Sequence, residues 1–436
     1  MVAALLVVFG AGFAFSGSAS RIPSLAYSAP RDIDYIVGGG AGDAEDVAMG
    51  DLNGDSRSDL AIVSDKDGAV SVVLNDGDGL FSPVAAYETP AGGEVRIADL
   101  NGDGKQDLVV SSPPANGVSV LLNRGDGTFL PSAVYSIGSA PNAHELPYAL
   151  ADLNGDGRPD IVAAIEGLRQ FFVLLNMGDG TFAATAAYAT VSKLHGIAAG
   201  DVNGDGKADV VVPNFRARTV SVFLNHGGGT FGARSNFRTG ARPNTVALAD
   251  FNGDHRLDVA TGNCCTASDR ISLLLNRGRA RLAPRREFRA GDPRDHLPLF
   301  LEAMDLNGDR KPDLVYGNVR LNRGGGRFEP ELCCADGAIG DLNGDGRPDQ
   351  AYSTVRKGSW NVWVRYADPR VCDVQIERGR TLAVAARTLA LSNCRVGRVR
   401  YAHSAKVKRR RVLSQKPTGG VWRKGKKVDL VISLGR

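Results

Sequence analysis

One oxygen-rich nonapeptide recurs seven times: DLNGDSRSD from Asp51, DLNGDGKQD from Asp99, DLNGDGRPD from Asp152, DVNGDGKAD from Asp201, DFNGDHRLD from Asp250, DLNGDRKPD from Asp305 and DLNGDGRPD from Asp341. Positions 1, 3, 5 and 9 are Asp, Asn, Asp and Asp in every copy, and position 7 is Lys or Arg. A small residue at position 4 or 6 lets the backbone wrap, so that the position 7 carbonyl joins those side chains in an all-oxygen cage. Such a cage suits a hard cation, and a flexible, carboxylate-rich loop suits Ca²⁺ better than Mg²⁺. Softer metals want Cys or His, which these positions lack. The expected ligands are Asp51, Asn53, Asp55, Arg57 and Asp59 in the first loop; Asp99, Asn101, Asp103, Lys105 and Asp107 in the second; and Asp152, Asn154, Asp156, Arg158 and Asp160 in the third. They continue as Asp201, Asn203, Asp205, Lys207 and Asp209; Asp250, Asn252, Asp254, Arg256 and Asp258; Asp305, Asn307, Asp309, Lys311 and Asp313; and Asp341, Asn343, Asp345, Arg347 and Asp349. Position 7 contributes its carbonyl, and its side chain is expected to point to water. Up to seven Ca²⁺ follow. A bare turn would explain Asn-Gly-Asp-Gly, whose residues suit positive φ. It would not explain three mutually repelling carboxylates in each loop. An EF-hand needs Glu at position 12 and flanking helices; here position 12 is apolar in most loops, as at Val110 and Val212, between β-rich runs.

The elements that must hold these loops follow from the spacing. Loop starts lie 36 to 55 residues apart, a period typical of solenoids, propellers or arrays. Each loop separates two short β-rich runs, such as Val95-Arg96-Ile97-Ala98 and Leu108-Val109-Val110. A third run follows, as in Val118 to Asn123, then a Gly-rich turn and a fourth run, Ser132 to Tyr135. Four strands per period predict a propeller blade. The seventh repeat lacks a fourth strand before Asp368-Pro369, and Asp34-Tyr35-Ile36-Val37 is expected to supply it, closing the ring and removing an exposed edge. The sixth repeat, at 36 residues, is expected to be pared down. The fold class is therefore all-β: a seven-bladed β-propeller of four-stranded blades over 21–368, with a small α+β domain over 370–436.

Residues 34 to 366 resemble the FG-GAP/VCBS-type repeats of integrin-like seven-bladed propellers. The resemblance implies Ca²⁺ in the hairpin between the first and second strands of a blade. Ser56, His255 and Arg310 depart from it at position 6, where glycine would ease the turn. The tail, with Leu413 to Gly420, Gly425 and Val428 to Gly435, resembles a PASTA domain, although Cys372-Asp373-Val374 stands where Val-Pro usually enters. That resemblance implies binding of peptidoglycan fragments or a spacer role. Within the tail a helix is expected over Arg380 to Ser392, with strands over Gly397 to Tyr401 and Val428 to Ser433.

Charge is divided between the two parts. Residues 395–436 hold 14 basic side chains and one acid, Asp429, whereas residues 1–394 hold 38 basic against 47 acidic. The overall +4 hides an acidic body and a basic tail. Glycine is about 12% of the chain against a usual 7% or so, which the turns account for. Val2 to Phe15 is apolar but too short to span a bilayer, and the small residues up to Ser20 complete a secretory signal over 1–20. A buried first strand is the other reading of that run. No later stretch is apolar enough to span a membrane. An exported chain tolerates disulfides. The expected pairs are Cys264/Cys265 with Cys333/Cys334, and Cys372 with Cys394; no CxxC spacing suggests zinc.

The run Lys406 to Arg411 lacks interleaved aromatics, so an anionic wall polymer is a better partner than nucleic acid, and a merely solvated surface is the plain alternative. No GxSxG or HExxH occurs; His144-Glu145, His195 and Asp295-His296 are the only acid–base candidates, and no catalytic residue is assigned. Arg124-Gly125-Asp126 is read as part of the hairpin turn formula. The sequence thus points to a secreted or wall-associated calcium-binding module for an extracellular protein or glycan ligand. A propeller-based polysaccharide hydrolase or lyase, or a purely structural surface module, are the other readings.

Overall fold

The computed structural model describes residues 31–33 and 44–434, apart from 65–67, 78–79, 91, 141–142, 144, 265–269, 291–300, 307–308, 329–331, 336–337, 343–348, 357–358, 366–370, 375–388, 390–393, 405, 409, 418–419 and 424–425. The expected signal segment, Asp34 to Val37 and nearly all of the expected 380–392 helix lie outside these residues; Leu389 is helical and buried. Among the described residues the chain is all-β, with many small antiparallel sheets and a short 3-10 turn at Pro113–Ala115. No helix among the described residues is long and apolar enough to cross a membrane.

Seven of the sheets have four strands, and six of these run in simple chain order. The third is representative: Tyr148–Ala151, Asp160–Ala164, Gln170–Asn176 and Phe182–Ala189 pair in sequence. The sixth keeps four strands but shortens each to three or four residues, with Glu302–Met304, Asp313–Val315, Gly317–Arg320 and Leu332–Ala335. The seventh takes its outer strand from the N-terminus. That strand is Arg31–Ile33, paired antiparallel with Ser359–Arg365 through Arg31↔Val364. The closing segment is thus found just upstream of the Asp34 to Val37 expectation.

Second strands such as Asp59–Ser64, Asp107–Ser112 and Asp209–Asn214 are buried at every position. Both of their faces are covered by neighbouring sheets, which is why they read as continuous apolar runs rather than alternating ones. Fourth strands such as Ala133–Ser136 and Ser235–Arg238 are largely exposed. Each sheet packs on the next through its own apolar cluster. Leu52, Val63 and Val72 meet Leu108 and Phe129 between the first two sheets, and Phe171 and Val173 meet Val212 and Phe223 between the third and fourth. Leu60, Ile62 and Phe81 of the first sheet pack on Leu342 and Ala351 of the seventh, so the last sheet returns to the first.

Aromatic pairs repeat along the outside of these contacts. Tyr87 sits edge-on to Phe129 with ring centroids 5.6 Å apart, and its hydroxyl accepts the Phe129 amide at 3.0 Å; Tyr188 and Phe231 repeat the arrangement. The tail has a separate core of Leu389, Cys394, Val412, Val428, Leu430 and Ile432. There Arg395–Ala402 runs parallel to Lys427–Ser433, and Val412–Lys416 antiparallel to it. Cys264 and Cys394 are disulfide-bonded, and no described cysteine is free; the pairing itself lies outside the described residues.

Candidate metal centre

Every nonapeptide ends on the first residue of a second strand, so position 9 is held by the sheet, and in the first five loops positions 1–8 curl back to the first strand. The position 9 carboxylates, Asp59, Asp107, Asp160, Asp209, Asp258, Asp313 and Asp349, are fully buried. In the third loop, Asp160 accepts the Leu153 amide at 2.8 Å on one oxygen and the Asn176 amide at 2.7 Å on the other. The same clamp recurs at Asp59, Asp107, Asp209, Asp258 and Asp313. Asp349 accepts the Leu342 amide at 2.9 Å.

The Asn at the end of the third run in six of the seven repeats is a structural partner that sequence reasoning missed. Asn176 Nδ2 donates to the Pro159 carbonyl of its own loop at 3.1 Å and to the Leu100 carbonyl of the preceding loop at 2.7 Å. Asn75, Asn123, Asn225, Asn276 and Asn322 repeat the bridge, and Asn75 reaches Leu342 of the seventh loop at 2.6 Å. The signal was present: an Asn ends the third run of each of these repeats. An Asn176→Leu variant keeps the side-chain size and orphans two carbonyls. At about 1–3 kcal/mol per unsatisfied buried group, urea unfolding should show a loss of about 2–4 kcal/mol.

Positions 1 and 5 organise the exposed part of the loop. Asp152 accepts the Gly155 and Asp156 amides on Oδ1, at 2.7 and 3.2 Å, and the Gly157 amide on Oδ2 at 2.9 Å. Asp156 accepts the Arg158 amide at 3.0 Å, and Asn154 bridges to it from both ends of its amide. The position 7 side chain does not simply point to water: Arg57, Lys105, Arg158, Arg256 and Lys311 fold back onto Asp55, Asp103, Asp156, Asp254 and Asp309. Two residues of curled backbone place each cation beside its carboxylate, and such half-exposed pairs contribute little stability. Among the described residues, positions 4 and 6 are left-handed. Gly157 has φ 84°, and Ser56, His255 and Arg310 adopt the same hand at 66°, 62° and 62°. The three departures from glycine therefore keep the loop shape, at a steric cost of about 1–2 kcal/mol each. Asn307, Asn343, Asp345 and Arg347 lie outside the described residues.

Burial pushes the carboxyls of Asp59, Asp107, Asp160, Asp209 and Asp258 up to about 6 and that of Asp313 to about 7; the carboxylates at positions 5 and 1 add to the rise, and the clamped amides oppose it. Among the described residues no three Asp, Glu, His or Cys side chains converge on one point. The donor set nevertheless fits a hard cation. It is all oxygen, and the amides use only two or three of the roughly four lone-pair sites on each carboxylate. A cation would also offset the crowding that raises the position 9 carboxyls.

Elsewhere, the structure joins two of the acid–base candidates. His195 Nδ1 lies 2.7 Å from Glu145 Oε2, and the His195 ring is 5.0 Å from that of Phe215. Among the described residues neither side chain makes a second hydrogen bond, and the pair is not the two-carboxylate arrangement of most glycosidases. His144, Asp295 and His296 lie outside the described residues. Arg124-Gly125-Asp126 is a tight turn in which Asp126 accepts the Thr128 amide and hydroxyl at 2.9 and 2.6 Å. Asp179 and Thr181 build the same turn one sheet later.

Residues 51–110, 99–163, 152–212 and 214–261 match the FG-GAP-like repeat family. No curated protein matches the chain. Two of the solved structures that share the fold are similar over most of the chain. One describes the recognition of non-reducing terminal N-acetylglucosamine by an Agrocybe aegerita lectin; it is 23% identical, with a TM-score of 0.52 over 74% of this chain and 85% of that one. The other is BBS1N in complex with ARL6DN, 14% identical, with a TM-score of 0.50 over 78% of this chain and 98% of that one.

Proposed function

We propose that this chain of FG-GAP-like repeats is a secreted or cell-surface binding module whose seven four-stranded sheets form a seven-bladed β-propeller stabilised by Ca²⁺. It presents a glycan or protein ligand site, and its basic, PASTA-like tail attaches to peptidoglycan or an anionic wall polymer. One observation carries this reading: an all-oxygen loop ending in a buried, clamped Asp recurs at the same end of sheet after sheet. Cations there would fix the hairpins at one end of the ring and leave the connections at the other end for recognition. The similar folds belong to a sugar-recognising lectin and a protein-bound propeller-like chain, which supports a binding role over a catalytic one.

A glycan array and a peptidoglycan pull-down, each run in Ca²⁺ and in chelator, test the reading. The full chain should be retained on peptidoglycan, and a chain ending at residue 365, which keeps every strand of the ring, should be lost from it. Equal retention of both would sink the attachment role, and an array blank in both conditions would remove the glycan reading.

A further inference from the structure

The stretch that completes a sheet, from the strand-end Asn through the turn to the fourth strand, changes charge around the chain. Residues 75–88 of the first sheet hold three acids and no base, 123–136 of the second one of each, 176–189 of the third one acid, and 225–238 of the fourth two Arg. The same stretch of the fifth sheet, 276–289, holds six Arg against one Glu. Arg277, Arg279 and Arg281 stand on its turn and Arg285, Arg286 and Arg289 along its outer edge, all of them exposed.

Neither turn geometry nor edge protection explains this. In the fourth and sixth sheets the two left-handed turn positions are glycines, Gly228 and Gly229 with φ 60° and 69°, and Gly325 and Gly326 with φ 63° and 65°. The fifth sheet places Arg279 and Ala280 there, both at φ 53°, a strained conformation for residues with a side chain. Its arginines also oppose one another: the Arg277 amide donates to the Arg281 carbonyl at 2.9 Å across the turn, and Arg270 pairs with Arg289 across the strands. Like charges so placed work against folding. The acid of the stretch, Glu287, is taken by Arg285 at 2.7 Å and Arg270 at 3.7 Å, and among the described residues Arg277, Arg279, Arg281 and Arg289 form no ion pair. Charge on an outer edge can ward off strand-to-strand association, but Ala133–Ser136 and Phe182–Ala189 are outer strands without a charge.

We infer that this stripe is a docking surface for an acidic polysaccharide whose charges are uronate carboxylates. A guanidinium fork grips a planar carboxylate through two parallel hydrogen bonds. From Arg281 to Arg289 the chain spans at most about 26 Å, which sets the six arginines about 4–5 Å apart on average. Duplex phosphates are far denser, at about one per 1.7 Å of axis, whereas a polymer with one carboxylate on each sugar suits the sparser spacing. A nucleic-acid single strand needs exposed rings on which to stack its bases; Phe288, the aromatic of this edge, is half-buried with the Phe328 ring 5.4 Å away. The surface belongs to the fifth sheet itself, so it goes beyond the roles proposed for the tail and for the connecting segments.

Fluorescence anisotropy of a labelled oligogalacturonide titrated with the full chain tests the assignment, with a heparin oligosaccharide, a polyglutamate peptide and a DNA duplex as parallel probes. Wild type should bind the uronide. Arg279→Gly/Arg281→Thr, which installs the fourth sheet's turn residues, and Arg285→Ser/Arg289→Ser should each weaken uronide binding about tenfold, and binding of the other probes no more than about threefold. All four positions are exposed and glycine suits the left-handed site, so melting midpoints at or above that of wild type will report intact folding. Failure of wild type to bind the uronide overturns the assignment, as does binding that both double variants retain. In the latter case the anion is held elsewhere, and the binding-module reading stands without this surface. Equal losses for the uronide and any other probe overturn it as well, because the stripe then reads charge alone.

Discussion

Chelating Ca²⁺ should lower the thermal unfolding midpoint of the full chain by about 10 °C or more. A ligand that binds only the folded state at a hundred times its dissociation constant adds about 2.7 kcal/mol, so three such loops add about 8 kcal/mol. Unfolding entropy near 2 cal/mol/K per residue gives about 0.7 kcal/mol/K for a ring of this size, which converts that loss to roughly 10 °C. Scanning calorimetry with Ca²⁺ and with chelator is the measurement. Mg²⁺ at equal concentration should recover only a small part of the shift, because it tolerates a flexible, many-oxygen loop poorly. Identical midpoints in Ca²⁺ and chelator would count decisively against the cages.

Asp160→Ala should cost about 3–5 kcal/mol even in chelator. Both Asp160 oxygens hold buried amides, those of Leu153 and Asn176, and each orphaned donor costs about 1–3 kcal/mol, with lost packing besides. In saturating Ca²⁺ the same substitution should cost about 2.7 kcal/mol more, because the loop no longer binds. Urea titrations of both proteins in both buffers separate the two contributions. An equal cost in the two buffers would leave Asp160 as a clamp and remove it as a ligand. Asp152→Ala acts on an exposed turn and should show the reverse balance: a small cost in chelator and a larger one in Ca²⁺.

Much of the ring was legible because the repeat states it seven times over. The nonapeptide marks each first hairpin, and the runs beside it mark four strands per period. The sixth sheet's brevity followed from its 36-residue spacing. The closing strand was displaced to Arg31–Ile33 because pairing with Val364, Trp363 and Val362 selects the register, and a lone three-residue strand has little pattern of its own. Site chemistry was less legible than site position. Asp160 reads as a ligand by its spacing, but its role as a two-amide clamp depends on Asn176, which arrives 16 residues later along another strand. Asn176 in turn acts on Leu100, 76 residues upstream in the neighbouring loop.

The pairing of Arg31 with Val364 also sets a timetable. The Arg31–Ile33 strand leaves the ribosome about 330 residues ahead of its partner. At about 5–20 residues per second, roughly 15–70 s separate the two. Throughout that interval the Leu60 and Ile62 side of the first sheet has no Leu342 or Ala351 to cover it. A chain that stops before Leu342 never leaves that condition and keeps that apolar sheet face open to association. The first strand therefore acts as a test of completeness: only a ring translated through to its last strand can hide both ends of itself.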